Sequence, residues 1–129
     1  MTYLLDTRLL LWTVYQSRSL PTRAIAIIED DANALAFSVV GLWEVVIKSA
    51  LGRAAFTYDS RALQRALLDV GYAELPITAA HALTVSELPP LHSDPFDRLI
   101  VAQARAEGMR LLPADRILAG YGNWVEVVS

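Results

Sequence analysis

The sequence predicts an α/β fold built on a mainly parallel sheet. Short apolar runs of strand length alternate along the chain with longer segments whose apolar residues recur at helical spacing. Strands that alternate with helices in this way lie side by side and are buried between layers. The chain has 129 residues, 54% of them apolar, and shows no linker, internal repeat or low-complexity tract, so residues 1–129 are expected to form one domain with a full core.

Each element has a local reason. Tyr3-Leu4-Leu5 is a short buried strand that ends at Asp6. Thr7 to Tyr15 reads as a helix with Leu9, Leu10 and Trp12 on its apolar side. Pro21 opens a second helix through Ala24, Ile25 and Ile28, which ends among Glu29, Asp30 and Asp31. Ala34 to Ser38 is a second strand running straight into a helix over Val39 to Ala50, with Leu42, Trp43, Val46 and Ile47 apolar and Gly52 as its stop. Asp59 to Val70 is amphipathic, with Leu63, Leu67 and Leu68 inward and Arg61 and Arg65 outward. Ala73 to Ile77 is a third strand, and Thr78 caps a helix through Val85. Pro89 and Pro90 mark a loop. Asp94 then caps a helix whose first position suits Pro95, whose Leu99, Ile100 and Ala104 face inward, and which Gly108 stops. Met109 to Leu112 is a fourth strand. A turn at Pro113-Ala114-Asp115, a short helix and a last strand, Val125 to Val128, complete the chain. Trp12, Trp43 and Phe96 are expected in the core.

The totals exclude several classes. With no cysteine there are no disulfides and no thiolate metal sites. No apolar run reaches the roughly 20 residues of a membrane span. The first residues enter a core pattern at once, with no basic leader before a cleavage site. These features fit the cytoplasm. A net charge of −3 argues against a broad nucleic-acid surface. Ten of the 11 basic residues are arginine, the better phosphate fork, which leaves room for a small Arg-lined groove.

In a parallel sheet, ligands bind outside the carboxyl ends of the strands. Four carboxylates are expected at that edge. Asp6 follows the first strand and Asp115 the fourth. Glu44 lies in the second turn of the helix leaving the second strand, and Asp97 in the first turn of the helix leading to the fourth. Taken singly, each has a plainer reading. Asp6, Asp94 and Asp115 suit helix caps, and Asp97 is either a capping partner or a ligand. Glu44 with Lys48 makes an i,i+4 surface pair worth about 0.3–0.5 kcal/mol. His81 and His92 invite a metal or general-base reading, but the carboxylate set already meets the need for a hard cation, so both read as structural, and Arg98 as solvent-facing. Taken together, the four carboxylates would repel one another unless a divalent cation joined them, and oxygen donors suit Mg²⁺ or Mn²⁺. Such an ion can activate a water for attack on a phosphodiester. A doubly wound phosphoacceptor or phosphatase is the remoter option. It lacks a paired Asp motif at the first strand and a suitably placed Lys.

Several blocks occur in a telling order: Leu4-Leu5-Asp6-Thr7; Ser38-Val39-Val40-Gly41-Leu42-Trp43-Glu44-Val45 with Lys48 and Gly52; Leu75-Pro76-Ile77 with His81-Ala82; Leu88-Pro89-Pro90-Leu91-His92; Asp94-Pro95-Phe96-Asp97-Arg98; and Ala114-Asp115. In this the chain resembles PIN-domain ribonucleases of the VapC toxin type, over nearly its whole length. The resemblance implies a PIN-like fold with a central parallel sheet of four to five strands flanked by helices. It implies a cytoplasmic, prokaryotic toxin of a type II toxin–antitoxin system, an endoribonuclease dependent on Mg²⁺ or Mn²⁺. The catalytic and metal-holding residues would be Asp6, Glu44, Asp97 and Asp115. Asp94, Arg8 and Arg98 would support the metal or contact RNA or antitoxin. The implied partners are an RNA substrate, a cognate VapB-type antitoxin and a second copy of the chain. Three positions depart from the family pattern. Arg8 replaces the usual His or Asn, Gly41 a common Ser, and Pro113 a Thr or Ser whose hydroxyl supports the metal's water network. Arg8 and Pro113 motivate an alternative, a catalytically weak or inactive PIN-like module that mainly binds its antitoxin.

Overall fold

The computed structural model describes residues 1–52 and 56–129. Among them the sheet has four strands, β1 (Thr2–Leu5), β2 (Ala34–Ser38), β3 (Ala73–Leu75) and β4 (Arg110–Leu112), in the order β3-β2-β1-β4. All pairings are parallel, with Leu4 opposite both Ala36 and Leu111. The helices are α1 (Thr7–Val14), α2 (Thr22–Glu29), α3 (Val39–Ala50), α4 (Ser60–Asp69), α5 (Ala79–Thr84) and α6 (Pro95–Glu107). Two 3-10 turns, Val85–Glu87 and Arg116–Tyr121, link them.

The central strand explains the layering. Successive side chains of β1 point to opposite faces. Tyr3 and Leu5 join one core with Phe37, Leu112, Leu9, Leu63 and Leu67; Leu4 joins the other with Ala36, Leu111, Ile100, Val101 and Ala104. A strand that must fill two cores has no polar position to spare, which is why the buried part of β1, Tyr3-Leu4-Leu5, reads as an unbroken apolar run.

The structure corrects the sequence reading at several points. Val125–Val128 is not a strand. Only Val125 bridges β4, through the Leu111 amide to Trp124 O and the Glu126 amide to Leu111 O. The next rung of a parallel ladder would need an N–H at residue 113, which is proline. Similarly, β3 ends at Leu75, before Pro76. On α3 the buried face is Val40, Gly41, Glu44 and Val45. Trp43 is 52% exposed, not core, and lies edge-on to a half-buried Phe96 at 5.2 Å. Val46 and Leu68 also face solvent, and Trp12 is half-buried at the edge of the first core.

Candidate active site

Strands β1 and β4 are neighbours, yet the chain continues from β1 toward β2 on the opposite side. This is the switch point, where a crevice opens beyond the strand ends. The Asp6 amide donates to Leu112 O across the two ends at 3.0 Å. Asp6 caps α1 by accepting from the Leu9 amide through Oδ1 at 2.8 Å, and its Oδ2 accepts from the Ala114 amide at 2.6 Å. One carboxylate thus ties the loop after β4 to the start of α1. The residue is buried, and that burial pushes its carboxyl up to about 7, against the pull of the Ala114 and Leu9 amides.

Glu44 reaches the same place from α3. It is 5% exposed, so the pairing with Lys48 is no surface pair. Lys48 Nζ donates to Glu44 Oε2, while Glu44 Oε1 is buried with no hydrogen-bond partner among the described residues. The same ammonium lies 3.8 Å from Asp94 Oδ2 and near the Phe56 and Phe96 rings. Burial would lower the Lys48 pKa, but the hydrogen bond and charge of Glu44, with Asp94 and Asp97, raise it above the ordinary value.

Helix α6 supplies the third side. Asp94 caps it through Oδ1, accepting from the amides of Phe96 and Asp97 at 2.9 and 3.2 Å, with Pro95 opening the first turn. Asp97 is therefore the third residue of the helix, half-buried, with its Oδ2 2.9 Å from His92 Nε2. Burial first, then the charges of Asp94 and Glu44, hold its carboxyl above the usual range. Asp115 is exposed at the rim and caps the last 3-10 turn through the Ile117 amide.

Asp6, Glu44, Asp97 and Asp115 all line one cavity of about 460 Å³, together with Arg8, Lys48, His92 and Asp94. Arg98 is turned elsewhere. Its guanidinium donates to the carbonyls of Pro89 and Val85 and to Tyr121 Oη, at 3.0, 3.4 and 3.3 Å, so neither the solvent-facing reading nor a contact inside this cavity describes it. His81 is structural as expected. It is fully buried in a capping box with Thr78, its Nε2 2.7 Å from Glu107. Sequence reasoning gave two lining residues, Lys48 and His92, a structural reading. The i,i+4 spacing from Glu44 signals the first, but only the folded path of the Pro89–Pro90 loop signals the second.

The donor set suits a hard divalent cation. Three features agree: oxygen ligands predominate, the charges of Asp94 and Glu44 add to burial in raising Asp97, and Glu44 Oε1 is an orphaned acceptor among the described residues on a buried carboxylate. His92, Asp94 and Asp97 each offer a ligand atom, all within 4.8 Å of one another.

A family model described as PIN domain matches residues 3–122. No curated protein matches the chain. Among solved structures, VapBC2 from Rickettsia felis, bound to a DNA fragment from its promoter, aligns over 100% of both chains at 20% identity, with a TM-score of 0.69. VapBC-5 from Mycobacterium tuberculosis aligns over 98% of this chain and 97% of its own at 23% identity and 0.61. DNA-bound VapBC from Salmonella typhimurium covers 98% and 96% at 14% identity and 0.63. At these identities the likeness is one of fold.

Proposed function

Because this chain belongs to the PIN-domain family, a family of nucleases, we propose that it is the toxic component of a type II toxin–antitoxin system, an endoribonuclease dependent on Mg²⁺ or Mn²⁺. One observation carries the reading: four carboxylates from β1, α3, α6 and the loop after β4 line a single cavity in which the buried Glu44 Oε1 lacks a partner among the described residues. The likeness to solved VapBC structures supports a cognate VapB-type antitoxin as partner, and the same proposal takes the toxin to be cytoplasmic and homodimeric.

Asp6, Glu44, Asp97 and Asp115 would hold the cation, and when bound it would activate a water and stabilise the charge of in-line attack on a phosphodiester. The protein's own groups do the rest. The two amide bonds of Asp6 fix the distance between α1 and the loop of Asp115. Asp94 sets where α6 begins and so where Asp97 points. Lys48 brings a positive charge to the cavity floor, and Arg8, exposed at the rim, is the fork for an RNA phosphate or an antitoxin carboxylate.

The test is RNA cleavage by purified, antitoxin-free protein. Cleavage is expected with Mg²⁺ or Mn²⁺, none with EDTA, and a loss of more than about 100-fold in Asp97→Asn. Activity that survives both would sink the proposal. A second reading, an antitoxin-binding module with weak catalysis, draws on Pro113 and on the engagement of both Asp6 oxygens by backbone amides. Robust turnover by the wild type removes it.

A further inference from the structure

His92 is the lining residue to which the carboxylate scheme gives no part. We infer that His92 coordinates the divalent cation directly through Nε2, adding a nitrogen donor that makes the site prefer Mn²⁺ to Mg²⁺. The inference rests on the cation-dependent reading of the Asp6, Glu44, Asp97 and Asp115 cavity.

The distances fit a shared ion. Two adjacent ligands, each about 2.1 Å from an octahedral cation, lie about 3.0 Å from each other. His92 Nε2 and Asp97 Oδ2 are 2.9 Å apart, and Asp94 supplies a third donor atom within 4.8 Å of both. A second observation points to a ligand independently: the buried Glu44 carboxylate, lining the same cavity, keeps Oε1 unpartnered among the described residues.

The imidazole is also held in place. Its loop leaves the 3-10 turn Val85–Glu87 and passes through Pro89 and Pro90, whose rings fix φ. Arg98 clamps that loop by donating to the carbonyls of Val85 and Pro89. Arg98 adjoins Asp97 on α6, so the start of one helix sets both the carboxylate and, through the clamp, the imidazole. Such support is what a ligand needs and a wandering surface histidine lacks.

The same 2.9 Å would also suit an Nε2–H donated to Asp97. The two arrangements differ in tautomer. A ligand offers the Nε2 lone pair and carries its proton on Nδ1, whereas a mere hydrogen-bond donor carries it on Nε2. They differ in metal choice as well, since Mg²⁺ keeps to oxygen donors and imidazole suits transition-metal ions.

Pulsed electron paramagnetic resonance of the Mn²⁺-loaded protein separates them. Direct coordination predicts a ¹⁴N hyperfine coupling on Mn²⁺ that becomes a ¹⁵N coupling when histidine is ¹⁵N-labelled, and that is lost in His92→Gln. By calorimetry, His92→Gln should weaken Mn²⁺ about tenfold and leave Mg²⁺ within about threefold. The labelled wild type carries the test even where the variant fails to fold. Mn²⁺ binding without a histidine nitrogen coupling, or with one that persists in His92→Gln, overturns the inference and leaves the cation site standing. Absence of any Mn²⁺ or Mg²⁺ binding overturns the cation reading itself.

Discussion

Asp6 is the side chain whose proton affinity folding changes most clearly. An unfolded aspartate releases its proton near 3.8, whereas burial holds the Asp6 proton to about 7. Between those values the folded chain binds more protons than the unfolded one, so stability falls as pH rises through that window and levels off above it. Asp97, raised for the same reason, adds in the same direction. Denaturant titrations of EDTA-treated protein should therefore show a loss of a few kcal/mol between pH 4 and 7. Added Mn²⁺ should restore stability most at pH 8, where the carboxylates are charged and need a counter-ion. Lys48 provides the metal-free counter-charge to Glu44. Lys48→Met should cost on the order of 2 kcal/mol without metal, because it leaves a buried carboxylate unpaired. The cost should shrink in saturating Mn²⁺, read by the same titrations; a cost that metal does not change would mean that the ion does not bind Glu44.

Helix α6 shows what was legible in the sequence. Its cap, its Pro95 and its Gly108 are local signals, and the helix starts and stops where they say. Gly108 has φ +68 with open space where a Cβ would sit, so only backbone strain opposes a side chain there. Gly108→Ala should cost about 1 kcal/mol in thermal unfolding, with Gly108→Asn milder, and RNA cleavage unchanged. Helix α3 shows what was not legible. It is apolar nearly all round, so hydrophobicity alone could not choose its buried face. Tertiary contact chose it. At Gly41 an added Cβ would lie 3.1 Å from Thr7 Oγ1, and this close approach to α1 turns Gly41, Glu44 and Val45 inward and leaves Trp43 outside. The fifth strand failed on a single missing donor at Pro113. His92 was read as structural because its position depends on the Arg98 clamp, a contact between segments that no periodicity encodes.

At the scale of the molecule, the positions of the four carboxylates were readable because each follows a strand or opens a helix, and the order β3-β2-β1-β4 brings those ends to one crevice. The same topology poses an electrostatic problem for a nuclease. The chain carries a net charge of −3, and among the described residues the cavity is lined by five carboxylates against Arg8 and Lys48. Polyanionic RNA would be repelled from such a site unless a cation bridges it. Binding of a non-cleavable single-stranded RNA to the wild-type chain should therefore depend on Mn²⁺. It should also depend only weakly on monovalent salt. Each phosphate neutralised on a single strand contributes a slope of about −0.7 to log K against log salt, so the two cations among the described lining residues allow about −1.4. Because Lys48 is held by Glu44, the wild-type cavity should sit nearer the single-contact value, with Arg8 as the contact. Fluorescence anisotropy across a salt series measures this directly, and Arg8→Ala should flatten the slope by about 0.7. A slope steeper than about −3 would require basic residues well outside the cavity to hold the RNA, and the track of the substrate would then have to be sought on another face of the protein.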